Sequence, residues 1–304
     1  MLEPLLERFR RRDRLALAHL LTLIARDEQV ESIREALPRD AGPGRSVAIT
    51  GSGGVGKSTL IGKLIELLRG RGQAVAVLAC DPESALTGGA LLGDRVRMPS
   101  RPDDPGVFIR SLAAPSGHEA IADHLDLMIR LLHAFGFGVV LLETAGAGQG
   151  DTAVREVAEV LVLLLQPETG DEFQWEKAGL LEVADVVVVH KADLPGAERV
   201  EAQVRDLLNL PGCRGVPVLR ACSSKGQGVE DLWRMIEALP ARRAGAEHDG
   251  RALLRLAQQR LADHFQQQAD RVQPVVERWN RRELDDCQAA DELVEALMEG
   301  RAAR

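Results

Sequence analysis

The sequence predicts an α/β fold, a mostly parallel sheet flanked by helices on both faces, and three observations predict it. Short apolar runs recur along the chain with helical patterns between them. The runs are apolar throughout rather than alternating, which belongs to strands covered on both faces. Glycine- or aspartate-bearing loops follow several of them, and in such folds ligands bind beyond the carboxyl ends of the strands.

Taken in order, residues 1–44 read as an N-terminal helical extension. Two helical segments are expected, the second from Leu15 to Ile24, apolar nearly all round and therefore packed on the main domain. The arginines at 8, 10, 11, 12 and 14 read as a solvated helix face. Pro38 and Gly42-Pro43-Gly44 break this region and lead to the first strand. Residues 45–240 read as the main domain, with strand-like runs at Val47–Thr50, Ala74–Cys80, Phe137–Glu143, Val160–Leu165, Val186–His190 and Val216–Leu219. Small and charged residues after Pro240 read as a linker, and residues 241–304 as a C-terminal helical arm broken near Pro274. Leu254, Leu261, Phe265 and Val272 make an apolar stripe there, to be covered by the chain's own domain or by a partner subunit.

The 304 residues are enough for one large core. A net charge of −8 gives no basic surface for nucleic acid or an anionic membrane, and the longest apolar runs are far too short to span a bilayer. Cys80, Cys213, Cys222 and Cys287 show no paired spacing and read as reduced structural thiols of a cytoplasmic protein. The histidines form no ligand cluster.

The strongest motif follows the first strand. Gly51-Ser52-Gly53-Gly54-Val55-Gly56-Lys57-Ser58-Thr59 matches G-x-x-x-x-G-K-[ST] and runs straight into helix spacing. Its glycines let backbone N–H groups turn inward around phosphates, and the helix N-terminus adds positive potential. Lys57 reaches the β- and γ-phosphates in such a loop, and the Ser58 hydroxyl holds Mg²⁺. Only five of the 38 basic residues are lysine, Lys57, Lys63, Lys177, Lys191 and Lys225; Lys57 is in this loop, and Lys191 and Lys225 fall in candidate base-recognition loops. The chain is therefore expected to bind a nucleoside triphosphate.

Other loops add carboxylates. Asp81 and Asp94 follow the second run and Glu143 closes the third, where a Mg²⁺–triphosphate site needs them. Gly146 and Gly148 suit a switch that senses the γ-phosphate through a backbone N–H. At the other end, His190-Lys191-Ala192-Asp193 follows the fifth run and Ser223-Ser224-Lys225 the sixth. Guanine presents two adjacent donors that one carboxylate accepts together, and adenine does not. Asp193 is placed for that role, with the Lys191 and Lys225 stems flanking the ring. His190 stands where such loops carry Asn. Its imidazole is expected to donate to guanine N7 but not to brace the neighbouring loop as the amide does.

With these motifs assembled, the chain resembles the MeaB/ArgK family of SIMIBI-class P-loop GTPases. The resemblance covers about residues 15–240 and is carried by DPESALTGGALLGDRVRM at 81–98, FIRS at 108–111, ETAGAGQGD at 143–151 and GDEFQWEKAG at 170–179. It implies a homodimeric GTPase that gates adenosylcobalamin loading and protects or reactivates an adenosylcobalamin-dependent acyl-CoA mutase. The mutase would be the methylmalonyl-CoA enzyme or a related isobutyryl type, with the cobalamin-supplying adenosyltransferase as a further partner. It implies GTP/GDP and Mg²⁺ as ligands, with Ser58, Asp81, Asp94 and Glu143 around the metal. Residues 170–179, with Lys177, correspond to a third switch, and the C-terminal helices to a dimerisation arm. Gln149 and Lys177 are the candidates to orient the attacking water, beside Lys57 and Glu143, and intrinsic hydrolysis is expected to be slow.

Departures from the family pattern are His190, Ala145 and Ala147 in place of valines, Trp175-Glu176 in the third switch, and Ser116-Gly117-His118-Glu119 without a glycine-rich continuation. They fall in nucleotide- or partner-facing loops and suggest a divergent branch. The rival reading is an ATPase or kinase associated with amino-acid transport, which Asp193 argues against. A nickel-delivery GTPase would carry His- or Cys-rich segments, and a ParA/MinD-like ATPase a lysine at position 52, where this chain has Ser52.

Overall fold

A computed structural model of the chain describes residues 2–38, 44–82, 104–114, 124–144, 154–167, 178–209, 215–240 and 269–298. The chain divides into two compact units, Met1–Ala244 and Gly245–Arg304.

The first unit is built on a parallel sheet. Its strands are β1 (Arg45–Gly51), β2 (Val75–Pro82), β3 (Val107–Ala114), β4 (Val139–Glu143), β5 (Val160–Leu165), β6 (Val186–Val189) and β7 (Val218–Arg220). Among the described residues they form one seven-stranded sheet in the order β3-β2-β4-β1-β5-β6-β7. Every pairing is parallel, with Ile49 opposite Glu143, Gly51 opposite Leu164, and Val189 opposite Arg220. After β1 the chain moves to one side, to β2 and β3, and after β5 to the other, to β6 and β7. The carboxyl ends of β1, β4 and β5 thus lie where the winding reverses, the usual ligand crevice of open α/β sheets.

Helices cover both faces. In order they are α1 (Leu2–Arg10), α2 (Arg14–Ala25), α3 (Val30–Ala36), α4 (Lys57–Gly70), α5 (Leu125–Phe135), α6 (Val154–Val157), α7 (Ala178–Val183), α8 (Ala197–Leu208) and α9 (Val229–Ala238). Successive β1 residues point to opposite cores. Ala48 joins Leu17, Leu20 and Leu132 from α2 and α5, while Val47 and Ile49 join Leu60, Leu64 and Trp233 from α4 and α9. Both faces are buried, which is why the strand sequences are apolar throughout.

Four expectations change. The N-terminal region holds a third helix, α3, and packs into the core through Leu17, Leu21 and Ile33, while Leu15 is 74% exposed. The arginine cluster is not one solvated face. Arg12 donates to the Ala134 carbonyl and lies over Phe135, and Arg14 donates to the Pro105 and Val107 carbonyls beside Phe108. Strand β3 was not anticipated, because Arg110 and Ser111 interrupt its apolar run at the sheet edge.

The second unit carries the fourth difference. Its described helices are α10 (Ala269–Asn280) and α11 (Asp286–Met298), and α10 runs through Pro274. One proline removes one helical hydrogen bond and leaves its neighbours intact. The break comes after Asn280 instead, where Arg282 takes a positive φ of 59°. Of the apolar stripe only Val272 is among the described residues.

Candidate functional site

The loop Gly51–Gly56 turns β1 into α4, and its geometry demands glycine at two places. Gly51 has φ +147°, and a Cβ there would lie 2.5 Å from the Leu164 carbonyl. Gly56 has φ +105°, and a Cβ there would lie 2.5 Å from the His190 ring. Val55 anchors the loop from below and is fully buried. Ser52, Gly53 and Gly54 form the rim, and α4 begins at Lys57, so that the N-terminal end of the helix, with its positive potential, faces the crevice.

Lys57 Nζ lies 2.8 Å from the Gly51 carbonyl and 3.3 Å from that of Ser52, so the ammonium sits over the mouth of the loop. The Ser58 hydroxyl donates to Glu143 Oε1 at 2.6 Å, both side chains buried. That pairing joins the first turn of α4 to the end of β4. Beside it the Thr144 and Thr50 hydroxyls are 3.0 Å apart and almost fully buried, which ties the ends of β1 and β4 together. An anionic oxygen and a hydroxyl at a helix N-terminus are hard ligands, a donor set that fits Mg²⁺.

Asp81 closes β2 two strands from β1, and only its backbone is described. Asp94, Gly146, Gln149, Trp175 and Lys177 lie outside the described residues.

On the other flank of the loop, His190 directly follows β6. Its Nδ1 is 2.7 Å from the Val55 carbonyl and its Nε2 is 2.6 Å from the Ser223 hydroxyl. The expectation that this histidine could not brace the neighbouring loop is therefore overturned. The imidazole spans from the phosphate loop to the turn Ser223–Lys225, and with both nitrogens engaged it has no donor left for guanine N7. Burial holds its pKa below the usual imidazole value.

Lys191 takes a left-handed φ of 54°, which turns the chain so that Asp193 follows on the same loop. Asp193 faces Lys225, whose Nζ is 3.3 Å from Oδ2. A hydrogen bond from the Cys222 thiol, with Lys225 adding to it, holds the Asp193 carboxyl below the ordinary carboxylate range. Ser224 lies beside Cys222, with Oγ 3.2 Å from its Sγ.

Lys57, Ser58, Glu143, His190, Asp193, Ser223 and Lys225 thus line one crevice edge, brought there by parallel strands ending at the same level. Cys222 is the residue that sequence reasoning passed over. It looked like an isolated structural thiol, and the available signal was its place immediately before Ser223.

The family model described as "Methylmalonyl Co-A mutase-associated GTPase MeaB" matches residues 17–279. A presumptive GTPase of Pyrococcus abyssi is 34% identical over 99% of this chain and 98% of its own length. A fused isobutyryl-CoA mutase of Nocardia farcinica is 37% identical over 96% of this chain, which corresponds to 29% of that longer protein. Among solved structures, a LAO/AO transport system kinase superposes with a TM-score of 0.65, covering 97% of both chains at 20% identity, and so shares the fold.

Proposed function

This chain belongs to the MeaB family of GTPases, and from that premise we propose that it is a GTP-driven metallochaperone for an adenosylcobalamin-dependent acyl-CoA mutase. It gates cofactor loading and protects or reactivates the mutase, and it acts as a homodimer in the cytoplasm. The observation that carries the partner assignment is the Nocardia relative, in which a segment matching nearly all of this chain is part of a mutase polypeptide. A fused module acts on what it is fused to, and a separate chain of the same kind is expected to act on a separate mutase. Family membership adds the association with methylmalonyl-CoA mutase itself. The adenosyltransferase that supplies the cobalamin is a further partner of this reading.

Each residue has a role in it. The loop Gly51–Gly56 and the first turn of α4 hold the phosphates through backbone N–H groups, and Lys57 exchanges its carbonyl partners for phosphate oxygens. Ser58 and Glu143, with Asp81 and Asp94, hold Mg²⁺, which neutralises charge on the phosphates. Asp193, ionised across the neutral range, accepts the two guanine donors between the Lys191 and Lys225 stems. Gln149 and Lys177 orient the attacking water, and Gly146 and residues 170–179 pass the nucleotide state to the mutase. The transport-kinase alternative rests on fold likeness at 20% identity and needs an adenine-reading loop, which Asp193 does not suit.

The test is GTP hydrolysis by the full chain with and without candidate acyl-CoA mutases, together with pull-downs in the GDP and GTP-analogue states. Stimulation and nucleotide-dependent capture are expected. If no cobalamin mutase is bound in either state and none accelerates hydrolysis, the chaperone reading fails, although the GTPase assignment stands.

A further inference from the structure

The His190 contacts fix more than a position. A backbone carbonyl can only accept, so the contact to Val55 O requires the hydrogen on Nδ1. In the neutral ring Nε2 is then an acceptor, and the Ser223 hydroxyl donates to it. One tautomer therefore links three segments: the phosphate loop through Val55, the base-reading loop through His190, and the turn Ser223–Lys225 through Ser223. The backbone adds to the tie, with His190 N–H donating to Leu165 O at 2.7 Å and Ala192 N–H to Ala221 O at 3.1 Å. The ring is 3% exposed and stacks over the Gly56 backbone at a spacing that no side chain at position 56 would leave room for.

We propose that His190 is a pH-sensitive latch for the nucleotide site: its neutral Nδ1–H tautomer joins the phosphate loop to the base-reading loops, and protonation of the ring releases the joint and weakens guanine-nucleotide binding. The proposal rests on the guanine-nucleotide reading of the site and adds a positioning residue and a regulation to it.

Protonation conflicts with the geometry in two ways. Nε2 becomes a donor, so the Ser223 hydroxyl must turn round and send its proton elsewhere. A positive charge would also be held in a nearly closed space where, among the described residues, no carboxylate is hydrogen-bonded to it. The titratable groups on the elements packed against the ring are Lys57 after Gly56, Lys191 and Asp193 on its own loop, and Cys222 and Lys225 around the turn. Lys191 opposes protonation, while Asp193 favours it and is itself ion-paired to Lys225.

The sign follows from linkage. Burial lowers the ring's pKa in the latched state below the ordinary 6.5. The latch is at full strength above that ordinary value. As pH falls below it, an unlatched ring takes up a proton that the latched ring resists, and the latch weakens until the lowered pKa is reached.

The experiment measures GDP affinity of the full chain by calorimetry at about pH 7.5, 6.5 and 5.5 for the natural protein, His190→Asn and His190→Ala. An asparagine amide can donate to Val55 O and accept from Ser223 but does not titrate. Titration of the GDP phosphates is common to all three proteins and cancels in their ratios. His190→Ala is expected to bind roughly tenfold to a hundredfold more weakly at the highest pH. His190→Asn restores most of that loss. Relative to His190→Asn, the natural protein is expected to lose up to about tenfold between the highest and lowest pH.

A natural-to-Asn ratio that stays constant with pH overturns the latch. So does His190→Ala binding as tightly as the natural protein. Imidazole ¹⁵N shifts of the natural protein supply a readout independent of any variant's folding: a neutral Nδ1–H ring is expected, and an Nε2–H tautomer overturns the proposal. Failure of the natural protein to bind GDP at any pH would instead sink the guanine-nucleotide reading beneath it.

Discussion

The carboxylate of Asp193 has the most specific chemistry of any single side chain here. The Cys222 thiol and the Lys225 ammonium both stabilise its anion and hold its pKa below the ordinary carboxylate value. In the proposed guanine-reading role, two charge-assisted bonds would give about two to four powers of ten in base selectivity. Asp193→Asn replaces an acceptor pair by one acceptor and one donor. It is expected to weaken GTP by roughly a hundredfold and to favour xanthosine triphosphate, as read by competition binding; unchanged GTP affinity would remove Asp193 from base recognition. Lys57→Ala removes the ammonium over the loop mouth and should abolish hydrolysis, with a fall of roughly a thousandfold or more in turnover. These two residues were legible because their spacing to neighbours is local and stereotyped. His190 was legible as a departure but not in its consequence. Whether an imidazole can replace an amide depends on Val55 and Ser223, which lie far away in sequence and meet only in the folded crevice.

Among the elements, β1, β2, β4, β5 and β6 could be read from the sequence because burial on both faces leaves them apolar throughout. Strand β3 could not, since at an edge Arg110 can reach the Thr22 hydroxyl on α2 and the run loses its continuity. The short helix α3 escaped for a related reason, having only Val30 and Ile33 buried in its seven residues. Polar cross-links between elements were equally hidden. The residue preceding β6, Asp185, accepts from Arg155 on α6 and from the Leu161 N–H at the start of β5. One carboxylate thereby sets the level at which β5 and β6 begin, and so the level at which their far ends present the site. Both side chains of the pair are largely buried. Asp185→Ala leaves a guanidinium and a backbone N–H without this acceptor, and should cost about 3 kcal/mol of stability in urea unfolding. Asp185→Asn keeps one acceptor for Leu161 and should cost less than the alanine variant.

At the scale of the whole molecule, the second unit poses the remaining problem of cover. Helices α10 and α11 join through the Arg278–Glu292 ion pair and a bond from Trp279 Nε1 to Asp286. Val275 and Ala289 are the buried apolar residues among their described side chains, while Trp279 and Val294 stay 45% and 41% exposed. Among the described residues of this unit, two helices with so small a shared interior supply little of the apolar burial that keeps a fold stable. Exposed large side chains of this kind commonly mark a contact surface. A second copy presenting the same helices would cover both through an isologous interface, in which the same patch of each copy faces the other across a two-fold axis. The full chain is therefore expected to sediment as a dimer, and Trp279→Ala combined with Val294→Asp to shift it to monomer. The sheet and crevice belong to the other compact unit, so the monomeric variant should still bind GTP. It should lose its response to the mutase if paired arms are what the partner recognises. A chain already monomeric before substitution would leave the arm without its proposed role, whatever the nucleotide site does.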